Sequence, residues 1–319
     1  MNDIIRIEQG SSQIVVQAIV GESAMPRFLE FFTANIRNSN TRRAYMRAAV
    51  DFLGWCAERG VVALSAIQPI HVASWIEELE NTHSVPTVKL RLAGIRHLFD
   101  WMVTGQMMPT NPAHSVRGPK HSARRGKTPV LSPAETRHLL NSIPTDTLAG
   151  LRDRALIGLM TYSFARVGAA LSLQVRDAFI QERRLWVRLV EKGGKRHEMP
   201  CHHTLEDYLH AYLDASMLRE QPKTALFRTI KRGTRQLSDT PLPQANAYAM
   251  IQRRAKAAGI DTDVCNHTFR ATGITAYLKN GGTLENAAHM ANHVSTRTTQ
   301  LYDRRSDEIS LDEVERILI

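Results

Sequence analysis

Thirteen residues near the middle of the chain, "RGPKHSARRGKTP" from Arg117 to Pro129, constrain the fold more than any other stretch. They hold two prolines, two glycines, five Lys/Arg and no acid. Proline removes a backbone donor and glycine loses much entropy on ordering, so neither a helix nor a central strand is expected to run through them. They read as a linker, residues 117–129, that divides the 319-residue chain into two parts, each long enough for its own hydrophobic core. Residues 21–116 form one part, with residues 1–20 before it as a short strand or loose arm, and residues 130–319 form the other.

Charge follows the same division. Residues 1–116 hold 10 Lys/Arg against 10 Asp/Glu and leave 31 against 21 for the rest, so the whole net charge of +10 lies after residue 116. A surface of that kind attracts polyanions by counterion release, nucleic acid being the commonest, although charge alone also suits a protein that is merely basic and soluble. The apolar share of 43% is ordinary for a globular protein. Apolar runs fall far short of the ~20 residues of a bilayer span, so no membrane partner is expected. The opening "MNDIIRIEQG" lacks the basic-then-apolar pattern of a secretory signal, which points to the cytoplasm and, for a DNA partner, the nucleoid. Cys56, Cys201 and Cys265 lie far apart without a CxxC pair, so neither a disulfide framework nor a zinc cluster is expected.

From about Ser23 the pattern becomes helical. In "TRRAYMRAAVDFLGWC", Tyr45, Ala49, Phe52, Leu53 and Cys56 share one face of a helix capped near Asn40, and Arg42, Arg43 and Arg47 take the opposite side. "HVASWIEELE" and "TVKLRLAGIRHLFDWMVTG" continue the period, the latter with Leu90, Ile95, Leu98 and Phe99 inward and Lys89, Arg91 and Arg96 outward. A small all-helical domain with a basic face ends near Pro112.

The second part opens with "SPAE", a serine cap with proline at the first helical position and glutamate three residues after the cap. "LAGLRDRALIGLMTYS" predicts a helix with Leu151, Ala155, Leu156, Leu159 and Met160 inward. "RRLWVRLVEKGGKRHEMP" alternates through Leu185, Val187 and Leu189 and predicts a hairpin with a two-residue turn at Gly193-Gly194, placing Lys192 at its tip. "ANAYAMIQRRAKAAG" reads as a helix stopped by Gly259, and "SLDEVERILI", residues 310–319, as a closing helix with a second capping box from Ser310 to Glu313. The expected class is mainly α with a small β-sheet (α+β).

Residues suited to chemistry are scattered: Arg166 in "SFARVGAAL", Lys192 in "EKGGKR", His267 and Arg270 in "HTFRATG", His293 in "ANHVS", and Tyr302 nine residues later. Singly, each has a plain structural explanation, since a lone tyrosine in "TTQLYDR" most often serves a core or a surface. His289 and His293 stand four apart, but "HMANH" lacks the glutamate of a metalloprotease motif, and "CHH" at Cys201 to His203 suits a solvated turn, so no metal site is expected.

In this order and inside one domain, the six residues resemble the tyrosine recombinases, the integrase and Xer-like family of site-specific DNA recombinases. Residues 21–116 stand where that family has its SAM-like core-binding domain, and residues 130–319 where it has its catalytic domain. The resemblance implies DNA strand exchange through a covalent 3′-phosphotyrosine and a Holliday junction, without metal or other cofactor. It implies a homotetramer acting on two duplexes, each carrying an inverted-repeat core site. It makes Tyr302 the nucleophile, sets Arg166 and Arg270 on the scissile phosphate, and makes Lys192 the general acid for the leaving 5′-oxygen. His267 becomes a general acid/base and His293 a hydrogen-bond partner of the phosphate, two roles that can be exchanged without contradicting the sequence.

Physical chemistry agrees with these assignments. Guanidinium stays charged and presents paired donors to phosphate oxygens whose negative charge grows in the transition state. A phenol with an ordinary pKa near ~10 needs a base or a positive field, and an alkoxide leaving group needs an acid. Arg166 also precedes "VGAAL", whose helix N-terminus is expected to add amide donors to the same phosphate. Expected DNA contacts are Arg42, Arg43, Arg47, Lys89, Arg91 and Arg96 on the helical domain, with Lys120, Arg124, Arg125 and Lys127 as a positive strap in the linker. Helix 310–319 is expected to dock on a neighbouring copy or on its own domain.

Three positions depart from the family pattern: Ala169 replaces an acid three residues after the first arginine, Ala271 follows the second, and Asn292 replaces a glycine. Two rival readings therefore stay open, a DNA-binding accessory protein without catalysis and a topoisomerase IB-like enzyme that only relaxes supercoils.

Overall fold

A computed structural model describes residues 11–120, 126–191 and 194–303. The chain divides into two compact units, Met1–Ser122 and Ala123–Ile319. The expected roles of Lys192, Arg124, Arg125 and helix 310–319 fall outside the described residues. Among the described residues, no helix is long and apolar enough to cross a membrane.

The first unit is built from α1 (Ser11–Glu30), α2 (Ser39–Glu58), α3 (Pro69–Thr82) and α4 (Val85–Thr104). Asn38 caps α2 with its side-chain oxygen, accepting from the amides of Asn40 at 3.0 Å and Thr41 at 3.1 Å, so the helix starts slightly earlier than the sequence suggests. Phe28, Phe31, Phe32, Phe52, Leu53, Leu92, Ile95 and Phe99 fill the core. The strand or loose arm expected before residue 21 is a helix from Ser11 onward, which buries Val16, Ile19 and Val20 in that core. Gly21, at φ 75°, ψ 159°, interrupts α1, which explains why the segment carries no continuous helical signature. Leu90, expected inward, is 45% exposed; α4 instead turns Val88, Leu92, Ile95, Leu98, Phe99 and Met102 into the core.

The second unit runs α5 (Pro133–Ser142), α6 (Leu148–Tyr162), α7 (Val167–Leu171), β1 (Ala178–Gln181), β2 (Arg184–Val190), β3 (Arg196–Pro200), α8 (His203–Ser216), β4 (Arg228–Ile230), β5 (Leu237–Pro241), α9 (Gln244–Ala257), α10 (Thr268–Lys279), α11 (Leu284–Met290) and α12 (Thr296–Gln300). The predicted capping box forms as written: Ser132 Oγ accepts from the Glu135 amide and Glu135 returns a bond to the Ser132 amide. β1, β2 and β3 make an antiparallel sheet with Val187 opposite Met199, and Leu185, Val187 and Leu189 face the core. The Glu191 amide donates to the Lys195 carbonyl at 2.9 Å and the Gly194 amide to the Glu191 carbonyl at 3.0 Å, while Gly193 of the expected turn lies outside the described residues. A second sheet, β4 with β5, was not legible in the sequence; β4 is only three residues long. The end of the expected linker is tied to this unit: the Gly126 amide donates to Leu301 O at 2.8 Å and the Leu131 amide to Thr272 Oγ1 at 3.0 Å.

Helix α6 is the scaffold of the unit. Its residues from Gly150 to Thr161 are buried on nearly every side, Arg152 and Asp153 among them, with α8 and α10 packed against it. Contact with α10 is close enough that a Cβ on Gly273 would lie 2.0 Å from Thr161 O and 2.9 Å from the Phe164 ring. Neither backbone can yield at that distance, so Gly273→Ala is expected to cost about 1–3 kcal/mol of stability. Gly168→Ala, in α7 where an added Cβ meets nothing within 4 Å, should keep or raise stability, by up to about 1 kcal/mol. Thermal unfolding of the two variants checks this; equal melting temperatures would contradict so close a contact between α6 and α10.

Candidate active site

Three breaks in regular structure converge on one guanidinium. Arg270 lies in the first turn of α10 and is 1% exposed. Its Nη1 donates to the carbonyl of Phe164, a residue held at φ 55° between α6 and α7. Its Nη2 donates to Ala291 O at 2.7 Å and to His293 Nε2 at 2.6 Å, both just after α11. Asn292 between them adopts φ 47°, the left-handed conformation expected of the residue that stands in place of a glycine. Its neighbour Arg166, the N-cap residue of α7, is half-buried and donates from Nη1 to Glu191 Oε2 at 2.5 Å. The other oxygen of that carboxylate stands 3.9 Å from Arg270 Nη1 and 3.5 Å from the Arg166 amide. Because α7 is five residues long, its dipole adds little to this positive field.

Tyr302 enters from the other side. Its ring stacks on His293 with centroids 5.9 Å apart and planes 9° from parallel, and its side chain lies near enough to Arg270 to act on that guanidinium. Thr275 Oγ1 donates to the Tyr302 carbonyl at 2.8 Å, and the Tyr302 amide donates to Thr299 O at 2.9 Å, so its backbone is held at two points. The side chain is half-buried beside a small apolar cluster of Phe164, Ile274, Leu278, Ala287 and Ala291. The phenol therefore has apolar packing and the His293 ring beside it, with the Arg270 guanidinium near by. His267, the residue before α10, is partly covered and partly open to solvent, and it lies close enough to both arginines to feel their charges.

Arg166, His267, Arg270, His293 and Tyr302 thus meet in one place. Burial, then the charge of Arg166, pushes the Arg270 pKa down to about 10, with Glu191 and Tyr302 opposing. Burial and the two guanidinium groups push His293 down to about 4 and hold His267 below its ordinary value. His293 is therefore neutral near pH 7. Since arginine only donates, Nε2 of His293 accepts, and the proton sits on Nδ1, which donates to Thr299 Oγ1 at 2.8 Å. A hydrogen bond from His293 Nε2 to a phosphate requires that proton to move across the ring.

The residues expected to contact DNA separate into two groups. Arg43, Arg47, Lys89, Lys120 and Lys127 are exposed. Arg42 instead donates to Ile36 O at 2.8 Å, Arg91 pairs with Asp51 at 2.7 Å, and Arg96 donates to Ala113 O at 3.1 Å and to Val116 O. These three arginines, expected outward, hold their own unit together.

Sequence reasoning missed Glu191, 6% exposed, together with the buried Thr299 and the backbone anchor Thr275. For Glu191 a signal existed. It continues the inward register of Leu185, Val187 and Leu189, and an acid at an inward strand position demands a cationic partner.

Residues 129–308 match the phage integrase family, and residues 27–106 match the phage integrase N-terminal SAM-like domain. The chain belongs to the phage integrase family. Among curated relatives of this integrase-family chain, the tyrosine recombinase XerD of Chlorobaculum tepidum is 27% identical over 284 residues, covering 86% of this chain and 89% of that protein. The XerD of Ralstonia nicotianae is 29% identical over 267 residues, covering 82% and 83%. The fold is shared with XerH site-specific recombinase in a post-cleavage complex with palindromic difH substrate, at TM-score 0.66 and 18% identity over 86% of this chain and 78% of that one. It is also shared with a lambda integrase tetramer bound to a Holliday junction, at TM-score 0.67 and 15% identity over 95% and 84%.

The depressed histidines of this integrase-family site have a measurable consequence. Because His293 falls from an ordinary 6.5 to about 4 on folding, the unfolded chain binds more protons across that window, and stability drops as pH is lowered through it. The melting temperature should therefore be lower at pH 4.5 than at pH 7, with a smaller drop in His293→Gln. An identical drop in that variant would show that His293 is not buried in the way described.

Proposed function

We propose that this chain is a site-specific DNA recombinase that cuts and rejoins DNA through a covalent link to Tyr302. The observation that carries this reading is the shared cluster itself: a tyrosine, two guanidinium groups and two imidazoles gathered around Arg270. A phosphodiester is an anion whose charge grows at the non-bridging oxygens as a fifth ligand approaches phosphorus, so cations fixed beforehand stabilise the transition state more than the ground state. Arg166, with part of its side chain open to solvent, and Arg270 beneath it supply those cations. The Tyr302 oxygen attacks phosphorus, a P–O bond forms to the phenol, and the bond to the 5′-oxygen breaks. The released 5′-oxygen takes a proton, for which Lys192 is the candidate donor; the reverse attack by a 5′-hydroxyl of a partner strand restores the phosphodiester. His267, opening to solvent beside both arginines, is the candidate to move the phenol proton.

The partner is double-stranded DNA, and the acting species is a homotetramer on two inverted-repeat sites, with residues 310–319 as the candidate segment exchanged between copies. Relatives named tyrosine recombinase and the fold shared with DNA-bound recombinases support this reading. A duplex selected by the protein from a random library, nicked near the centre of the site, provides the test. An SDS-resistant adduct is expected with the parent and none with Tyr302→Phe, and Arg166→Lys should slow adduct formation by about 10²–10³. A parent that binds the site but never forms the adduct leaves an accessory DNA-binding protein, and an adduct without Holliday junctions on paired sites leaves a topoisomerase.

Contacts with DNA on the first unit are separable from its stability. Arg47→Ala should weaken binding to all sequences alike and reduce the slope of log affinity against log salt by about 1, while Arg96→Ala should lower the melting temperature because its carbonyl partners lose their donors. Titrations at several salt concentrations read the first effect and thermal unfolding the second; an unaltered slope for Arg47→Ala would remove that residue from the DNA-facing surface.

A further inference from the structure

We propose that Glu191 is the positioning residue of the two phosphate-binding arginines, acting through Arg166 and Arg270 and never touching DNA itself. The inference rests on the recombinase reading above and adds to it the group that makes the site hold its shape.

Three observations converge. The carboxylate is buried, its side chain only 4% exposed against 30% for Arg166, and a carboxylate repels a phosphate, so its role is toward the arginines and not toward DNA. Its two oxygens are divided between the arginines, one at 2.5 Å from Arg166 Nη1 and the other at 3.9 Å from Arg270 Nη1 and 3.5 Å from the Arg166 amide. And the helix that follows Arg166, "VGAAL", offers no acid at all: Ala169, one turn after Arg166, is buried and apolar. Two like charges held close together in a poorly solvated place repel, and without a counter-ion the side chains would be driven apart toward water. Glu191 opposes this by setting a carboxylate between them. It also fixes Arg166 by a short charge-assisted bond, so a guanidinium with several free torsions is presented in one orientation.

Its position in the chain adds a second consequence. Glu191 follows β2, and its amide donates to Lys195 O at 2.9 Å, just before β3. The same residue therefore anchors the arginines with its side chain and joins the ends of the two strands with its backbone. A side-chain substitution removes the first function and keeps the second.

The test uses full-length Glu191→Gln and Glu191→Asp on the nicked duplex under single-turnover conditions. Glu191→Gln keeps the shape and removes the charge; adduct formation should slow by about 10- to 100-fold while equilibrium affinity for DNA stays within about threefold of the parent. Glu191→Asp, which keeps the charge on a shorter arm, should fall between parent and Gln. Where Glu191→Gln does not fold, the Asp variant carries the comparison. In an Arg166→Lys background the further cost of either substitution should shrink, because the two residues act as a unit. Parent-like cleavage in Glu191→Gln overturns the proposal, as does a loss of affinity and melting temperature in step with the loss of rate, or full additivity with Arg166→Lys. Absence of any adduct from the parent protein would instead refute the recombinase reading on which the proposal stands.

Discussion

Burial of the Arg270 charge is the constraint on which the rest of this site depends. A guanidinium withdrawn from water costs many kcal/mol unless its donors find acceptors and its charge finds a partner. Here the acceptors are the Phe164 and Ala291 carbonyls and a ring nitrogen of His293, and the opposing charge is Glu191. Each belongs to a different part of the second unit: the junction after α6, the end of α11, the segment before α12, and the end of β2. Satisfying one side chain thus joins the helical bundle, the sheet and the segment that carries Tyr302. The same interaction orients the site and couples it to the fold.

The electrostatics follow from that arrangement. Burial, and after it the positive charge of the two guanidinium groups, disfavours charged imidazole here, so both histidines are held neutral near pH 7, His293 with a pKa of about 4. A neutral imidazole that accepts from Arg270 through one nitrogen is committed to one tautomer, and this links the state of His293 to whatever contacts Arg270. Reaction at such a site begins with groups already oriented and requires proton movement more than rearrangement, which is the economy expected of catalysis by electrostatic preorganisation. A backbone clamped by Thr275 and by Thr299 keeps the phenol beside that field.

The local devices could be read from the chain alone: the capping box at Ser132, the alternation of Leu185, Val187 and Leu189, the stop at Gly259, and the left-handed Asn292. Each depends on neighbours a few residues away. What could not be read depends on partners far along the chain. Arg42, Arg91 and Arg96 look like surface cations by helical period, yet each finds a carbonyl or a carboxylate that only the fold brings near. Glu191 and Arg166 stand 25 positions apart, and the loss of an acid at Ala169 looked like a missing part until the fold brought a carboxylate from the sheet. Helix α1 was hidden because Gly21 breaks its period and Pro26 follows, while the packing of Val16, Ile19 and Val20 against the core supplies what propensity does not.

By itself, then, the sequence determined the kinds of element, the split at a linker unable to form regular structure, the excess of positive charge in the second part, and the ordered set Arg166, Lys192, His267, Arg270, His293 and Tyr302. Those properties reside in residue type and short-range spacing, which exist before folding. The tertiary structure alone decided which arginines face solvent, which tautomer His293 adopts, how closely α10 approaches α6 at Gly273, and that the counter-ion of the arginine pair comes from Glu191. These depend on distances between segments far apart in the chain, and such distances are set by packing and by the need to pair buried charge, for which no local pattern is a substitute.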